Sequence, residues 1–186
     1  MKRALAVFLA AAMLLGVSTM GMAQQSSSAD QKLQERVSRE VYHELIMLPQ
    51  LTIFDNLAYK MDGNNVTLMG QVRNAILKSS AESSVKKIEG IGTVTNQIEV
   101  LPPSSSDDRI RRQVAHAIFS DDRLFPYSMG ALPPIHIIVK SGHVTLIGTV
   151  NNQTDKNTAG IRANGVPGVF SVQNDLRVQE ATESKK

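Results

Sequence analysis

Val66–Val72 reads VTLMGQV, and Val144–Val150, 78 positions later, reads VTLIGTV, so that five of the seven residues are identical. The same offset relates five further pairs: Ala81 and Ala159, Gly90 and Gly168, Val94 and Val172, Asn96 and Asn174, and Val100 and Val178. Matches that keep one register over about 35 residues indicate a duplicated unit. We therefore divide the chain into repeat 1, residues 30–101, and repeat 2, residues 107–179.

Each repeat is predicted to contain the elements α-β-β-α-β. Apolar residues at helical spacing, turn residues between alternating strands, and a helix before the last strand indicate this order. The elements predicted in repeat 1 are a helix over 30–48 that ends before Pro49, strands 57–61 and 66–72, a helix over 74–89 and a strand over 93–100. Those predicted in repeat 2 are a helix from 106 or 107 over 110–118, strands 135–139 and 144–150, a helix over 155–164 and a strand over 171–178.

This order predicts an α+β fold for each repeat. A β-α-β step in one sheet is almost always a right-handed crossover. We therefore expect two tandem three-stranded sheets, each with two helices on one face. The opposite sheet face carries mixed side chains and is expected either to stay solvated or to form an interface.

Two residues inside the predicted strands require an explanation. Gly70 lies in phase with the inward side chains, which indicates close approach of another backbone, most simply that of the packed helix. Asn96 points the same way as its apolar neighbours, and a half-buried amide needs hydrogen-bond partners. Backbone groups of the preceding turn are the expected partners.

The ends of the chain and the segment between the repeats differ from the repeats in composition. Residues 1–23 have the charged, apolar and small-residue regions of a cleaved secretory signal peptide. A disordered leader over 24–29, a proline- and serine-rich linker over 102–106 and a polar tail over 180–186 are also expected. The chain has no cysteine, so a lipid anchor on a processed N-terminal cysteine is not expected, and the predicted location is the periplasm.

Charge and motifs give little support to enzymatic or nucleic-acid-binding functions. Loss of Lys2 and Arg3 with the signal peptide would leave 18 basic against 17 acidic residues, a net charge of +1 rather than +3. A near-neutral protein lacks the basic surface of a nucleic-acid binder. No phosphate loop, thiol nucleophile or metal-ligand spacing is present, so neither an enzyme nor a cofactor is predicted. His136 and His143 flank the second hairpin, and we expect ordinary surface histidines there rather than the alternative, a metal-binding or pH-sensing pair.

The quoted motifs resemble those of the BON domain. NNVTLMGQV and EGIGTVTNQIEV in repeat 1 correspond to GHVTLIGTV and PGVFSVQNDLRV in repeat 2. Two such repeats behind a signal peptide resemble the periplasmic two-BON proteins that are induced by osmotic stress. The resemblance implies a non-catalytic envelope protein that binds phospholipid surfaces or supports envelope integrity under stress.

The segment between the first helix and the hairpin of repeat 2 is the candidate binding region. It contains three prolines and a glycine together with large apolar residues. Its side chains either close the end of a small core or remain exposed and insert at a lipid headgroup boundary. In the second case Phe125, Tyr127 and Met129 would enter the boundary, and arginines of the adjoining helix would meet anionic headgroups. These arginines are Arg109, Arg111 and Arg112.

Two functions therefore remain open at the level of sequence. The first is a peripheral module that binds anionic phospholipid surfaces. The second is a protein-interaction or self-assembly module of the envelope, in which free sheet edges or faces pair with a partner or with another copy.

Overall fold

The computed structural model describes the backbone of residues 20–179 and the side chains from residue 31. Most of the predicted signal peptide (1–19) and the predicted tail (180–186) lie outside the described residues. The chain divides into two compact units, Met1–Arg36 and Val37–Lys186. Both sheets and the helical residues packed on them, from Val37 onward, belong to the second unit.

The described elements confirm the predicted order in both repeats. In repeat 1 they are α1 (Met20–Ile46), β1 (Asn56–Asp62), β2 (Asn65–Val72), α2 (Ala75–Val85), β3 (Val94–Asn96) and β4 (Glu99–Val100). In repeat 2 they are α3 (Ser105–Phe119), a 3₁₀ turn (Phe125–Ser128), β5 (Ile135–Lys140), β6 (His143–Val150), α4 (Gln153–Asn164) and β7 (Ser171–Val178).

The two sheets have the same pairing. β1 is antiparallel to β2, with Tyr59 opposite Leu68, and β5 is antiparallel to β6, with Ile137 opposite Leu146. β3 and β4 are parallel to β2, as β7 is to β6. The duplication therefore extends to the register of the strands.

Both helices of a repeat pack on one face of its sheet. In repeat 1, Val41 of α1 and Leu77 of α2 share one buried cluster with Leu68 of β2. In repeat 2 the corresponding cluster joins Val114 of α3 and Ala159 of α4. The predicted α+β fold, with two helices on one face of each three-stranded sheet, is confirmed.

The prediction for Gly70 was correct about a close backbone and wrong about its source. A Cβ on Gly70 would lie 2.1 Å from the carbonyl oxygen of Asn56 in β1, and one on Gly148 would lie 1.8 Å from that of Pro134. Both glycines have positive φ, +114° and +131°. The neighbouring strand, not the helix, makes glycine necessary, because its carbonyl oxygen occupies the place where a Cβ would lie.

The amides of Asn96 and Asn174 fasten the crossover helix to the last strand. Asn96 Nδ2 donates to the carbonyl of Lys78 in α2 (3.0 Å), and Asn174 Nδ2 donates to that of Lys156 in α4 (2.7 Å). The expected structural role fits these contacts, but the expected partner in the preceding turn was wrong. A half-buried amide reaches the helix because the helix packs directly above the strand.

Several predicted boundaries differ from the structure. α1 starts at Met20 and runs through 24–29, where a disordered leader was expected, since no proline or glycine interrupts 22–48. Leu33, expected on the buried face, is 42% exposed. α2 ends at Val85 rather than Glu89. The last strand of repeat 1 is broken at 97–98, whereas β7 is continuous.

The predicted cap of α3 was also wrong. Ser104, not Ser106 or Asp107, is the N-cap, and its hydroxyl accepts from the backbone N–H of Asp107. The carboxylate of Asp107 instead accepts the N–H groups of Ser141 and Gly142, each at 2.9 Å, in the β5–β6 turn. It joins the start of the helix to the hairpin.

The two repeats meet along the segment that precedes β1. Ile53 and Phe54 pack against the core cluster of repeat 2. The carbonyl of Ile53 accepts the N–H of Ile137 (2.7 Å), so this segment covers part of the β5 edge. The carbonyl of Asp55 accepts a hydrogen bond from Nδ1 of His136 (2.6 Å).

Candidate functional site

A groove of about 850 Å³ lies between α3 and α4 of repeat 2. α3 presents one side to this groove because its opposite side, with Ile110, Val114 and Ile118, is buried in the core. The groove combines cationic and apolar side chains. Its lining includes Arg109, Arg112, His116, Ala117, Asp121, Ile161, Arg162, Val166 and Pro167.

Two of the predicted arginines, Arg109 and Arg112, line this groove and are exposed. Arg109 makes one long hydrogen bond to Gln113 (3.4 Å), and no described residue pairs with Arg112. Arg162 donates two hydrogen bonds to Asp121 (2.9 and 2.6 Å). The three arginines and one aspartate leave this groove with a net charge of +2, which favours anionic groups.

The ion pair between Arg162 and Asp121 crosses the groove and changes the pKa of the aspartate. The hydrogen bond from Arg162 lowers the pKa of Asp121, which remains a carboxylate at neutral pH. This pair joins the end of α3 to α4 and is exposed, so its contribution to stability is small. Because Asp121 is bonded to Arg162, it does not neutralise Arg109 or Arg112.

Arg111 does not belong to the surface, and its prediction as a headgroup contact was wrong. Its side chain is only 3% exposed, because it lies on the same helical stripe as Val114 and Ile118. It donates to Asp108 (2.6 Å) and to the carbonyl of Val139 (2.5 Å). Arg111 therefore ties α3 to β5, a role that its position on the apolar stripe could have indicated.

The predicted exposure of Tyr127 was also wrong. Tyr127 is buried, donates to the carboxylate of Asp155 (2.6 Å) and accepts the N–H of Asn151 (2.8 Å). Burial, followed by the bond to Asp155, raises the pKa of its hydroxyl. The 3₁₀ turn directs this side chain inward, where it links the loop to the start of α4.

Phe125 and Met129 are exposed, as expected, at 51% and 63%. They lie beyond the carboxyl end of α3, whereas Arg109 is ten residues before Phe119, ~15 Å away along the helix axis at 1.5 Å per residue. The predicted site is thus separated into a cationic groove and an apolar tip. The tip consists of Phe125 and Met129.

Three residues that extend these surfaces were missed by the sequence analysis. Arg123, exposed, stands two residues before Phe125 and places a cation next to the tip. Ile161, 72% exposed, and Arg162 line the groove from α4. α4 has little apolar periodicity, so its exposed face could not be identified from spacing alone.

The histidines are not brought together. His136 pairs with Ile147 and His143 with Lys140, at opposite ends of the hairpin. Four residues along a strand separate them by ~13 Å. Among the residues with described positions, no group of three or more His, Asp or Glu side chains is arranged to hold a metal ion. Within residues 20–179, none of the helices has the length and apolarity needed to cross a bilayer.

Two copies of one α+β repeat, with a cationic groove on the second, define the chain as a tandem-repeat protein with a surface groove. The profile of the BON domain matches residues 58–102 and 106–180, which together make up more than half of the chain. The chain belongs to the BON domain family. The first helix of repeat 1 lies outside the matched residues.

Two named proteins are similar in sequence to part of the chain. The outer membrane lipoprotein DolP of Haemophilus influenzae is 31% identical over 112 residues, covering 58% of this chain and 54% of that protein. Osmotically-inducible protein Y of Escherichia coli is 27% identical over 133 residues, covering 67% of this chain and 62% of that protein. The chain thus spans between half and two thirds of the length of these relatives.

A solved structure also aligns with the chain. The C-terminal domain of CdsD, a structural protein of the type III secretion system of Chlamydia trachomatis, covers 76% of this chain and 96% of its own length. Its TM-score is 0.31 at 13% identity. A similarity at this level supports no argument about function.

Proposed function

We propose that the chain is a non-catalytic protein of the cell envelope that binds anionic phospholipid surfaces through repeat 2. The observation that carries this proposal is the groove between α3 and α4, where Arg109 and Arg112 have no ion-pair partner among the described residues. Anionic headgroups would meet these arginines. Ile161 and the apolar tip would enter the headgroup boundary.

The names of the relatives support the envelope part of this proposal. One relative is an outer membrane lipoprotein and the other is inducible by osmotic stress. We infer the same compartment for this chain, with export by the predicted signal peptide to the periplasm. A role in envelope integrity under stress follows if its lipid binding is needed when the membrane is perturbed.

Self-assembly through sheet edges has less support. The segment with Ile53 already occupies part of the β5 edge. At the β7 edge, the side chain of Asn174 accepts the N–H of Leu176 (3.4 Å), which engages a group that an added strand would need. Edges that are covered or internally bonded are poor templates for strand addition.

Vesicle flotation with the purified protein tests the proposal. The Arg109→Gln/Arg112→Gln variant is expected to bind phosphatidylglycerol vesicles about 30-fold more weakly, since each cation near an anionic surface contributes ~1 kcal/mol. Lys60→Gln/Lys87→Gln, which removes the same charge from exposed positions of repeat 1, is the matched control and should bind normally. Binding should also fall with added salt.

The apolar tip is tested separately with Phe125→Ser/Met129→Ser. This variant should fold normally, because both residues are exposed, and should bind the same vesicles several-fold more weakly. Equal binding by the wild type and both variants would contradict the proposal. Binding that is equally strong on neutral phosphatidylcholine would contradict the role of the arginines.

A further inference from the structure

A second cleft, of about 390 Å³, lies between the two repeats. We call it the seam cleft. Repeat 1 contributes the end of α1, the loop that follows it and strand β1. Repeat 2 contributes Leu132, His136 and Arg177.

The wall from repeat 1 is apolar except for Asn56, whose amide donates to the side chain of Gln71 (3.3 Å). Tyr42 and Ile46 lie one turn apart on α1, away from the face that buries Val41 and Leu45. Tyr42 is 57% exposed and Ile46 is 38% exposed. Leu51, Leu57 and Tyr59 continue this wall to β1. Large apolar side chains exposed beside a cleft are typical of a binding surface.

The cleft contains one permanent charge. Arg177 is exposed and makes no hydrogen bond or ion pair with any described residue. No acidic residue is among the cleft's described lining. Asp175, the nearest acid on the same strand face, accepts a hydrogen bond from Gln173 (2.8 Å) instead.

The other ionisable group of the cleft is held neutral. Nδ1 of His136 donates to the carbonyl of Asp55. Burial lowers the pKa of this histidine. Tyr59, also in the wall, is engaged with Ser38 through its hydroxyl (2.8 and 2.9 Å). Arg177 is therefore the group that can select a ligand by charge.

We propose that the seam cleft binds a single-chain amphiphile with an anionic head. The head, a carboxylate or a phosphate, would pair with Arg177, and the acyl chain would lie against the wall formed by α1 and β1. The volume is at the low end of the range for ligand pockets, ~300–1,000 Å³, which fits one chain better than the two chains of a phospholipid. A fatty acid and a lysophospholipid share this chemistry.

Isothermal titration of the full protein with laurate, below its micelle concentration, tests the proposal. Saturable binding with one ligand per chain is expected. Arg177→Gln should weaken it by about 10- to 100-fold, the effect of losing a hydrogen bond to a charged group. Decanoate, with two fewer methylenes, should bind about tenfold more weakly than laurate.

Two more variants locate the ligand. Ala58 lines the cleft and is exposed, so Ala58→Phe should fill it without disturbing the core and should abolish laurate binding. Arg112→Gln, in the α3/α4 groove, is the matched control and should leave laurate binding unchanged. Conversely, Arg177→Gln should leave vesicle flotation unchanged, so the two sites fail or succeed separately.

Probes with different head groups show whether the cleft requires an anionic head and whether that head is a phosphate or a carboxylate. Dodecyl maltoside and dodecyltrimethylammonium, with the same chain but no anionic head, should bind at least tenfold more weakly than laurate. Tighter binding of lysophosphatidylglycerol than of laurate would identify a phosphate head, and the reverse a carboxylate. Absence of saturable binding by both, equal binding of dodecyl maltoside, or normal laurate binding by Arg177→Gln and Ala58→Phe would overturn the proposal.

Discussion

The loop after the first helix is rich in large apolar residues in both repeats, but the two loops are used differently. In repeat 1, the side chains of Ile53 and Phe54 pack against the core of repeat 2 rather than against that of their own repeat. In repeat 2, Leu124 and Tyr127 turn back into their own core. Phe125 and Met129 remain exposed. Similar composition thus produces a seam between domains in one copy and a free apolar tip in the other.

Loop length explains much of this difference. Residues 47–55, nine in number, join α1 to β1, whereas residues 120–134, fifteen in number, join α3 to β5. The longer loop has room for a 3₁₀ turn that buries Tyr127 against Asp155. The shorter loop makes no such turn. Its Leu48 and Leu51 pack in their own core, whereas Ile53 and Phe54 pack on the neighbouring repeat. The two sheets have the same strand pairing, and the differences between the repeats described here lie in the loops.

The largest expected effect tests what the repeats share. Gly148→Ala and Gly70→Ala should each destabilise the protein by about 3 kcal/mol or more, since the new Cβ would collide with a strand carbonyl at positive φ. Chemical denaturation of each variant measures the change. Gly130→Ala is the control, because its φ is also positive (+104°) but nothing lies within 4 Å of the added atom.

Gly130→Ala should cost only the backbone strain, about 1–2 kcal/mol. A Gly148→Ala variant as stable as this control would mean that the strand carbonyl does not require the glycine. A large difference between Gly70→Ala and Gly148→Ala would show that the two sheets are not equivalent.

The next effect tests what the repeats do not share. Phe54 packs on repeat 2 and lies under the guanidinium of Arg73, 5.3 Å from its ring centre. Phe54→Ala should destabilise the protein by about 2 kcal/mol, less than for a fully buried phenylalanine because Phe54 is half-buried. Hydrogen exchange should show faster opening at β5, which this segment covers.

Phe170→Ala is the matched control for the seam, because Phe170 is 77% exposed. It should change stability by no more than ~0.5 kcal/mol. Equal effects of the Phe54 and Phe170 substitutions would contradict a stabilising seam between the repeats.

The smallest expected effect is a pH dependence confined to the seam. Burial lowers the pKa of His136 below its ordinary value of 6.5, so the unfolded chain binds this proton more readily than the folded one. Stability from this histidine is therefore present above pH 6.5 and is lost as the pH falls below it. Repeat 1 has Ala58 at the equivalent position and no such dependence.

Unfolding free energies of the wild type and of His136→Asn, compared from pH 7.5 to 5.5, check this expectation. The wild type should lose stability on acidification relative to the variant, which cancels the contributions of the other titrating groups. A difference that stays constant over this range would show that His136 has the same pKa in the folded and unfolded chains.

The fold was largely predictable from sequence, and the candidate site only in part. The strand VTLMGQV and the helices around Val37 and Val114 were predicted from local periodicity, which can be recognised in the sequence alone. The burial of Arg111 and Tyr127 could not be predicted in this way, because it depends on which face of the helix or loop packs on the core. Arg109, Arg112, Phe125 and Met129 were placed at the surface correctly, but not in one site.

By itself, the sequence determined the duplication, the α-β-β-α-β order, the two-helix face of each sheet and the membership suggested by the repeated motifs. These follow from short-range patterns of apolar and turn residues that recur in both copies. Only the tertiary structure decided that a strand carbonyl faces Gly70, that Ile53 covers the edge of β5, and that α3 and α4 enclose a cationic groove. Such contacts join residues far apart in the chain, and their geometry is fixed by packing, which no local pattern records.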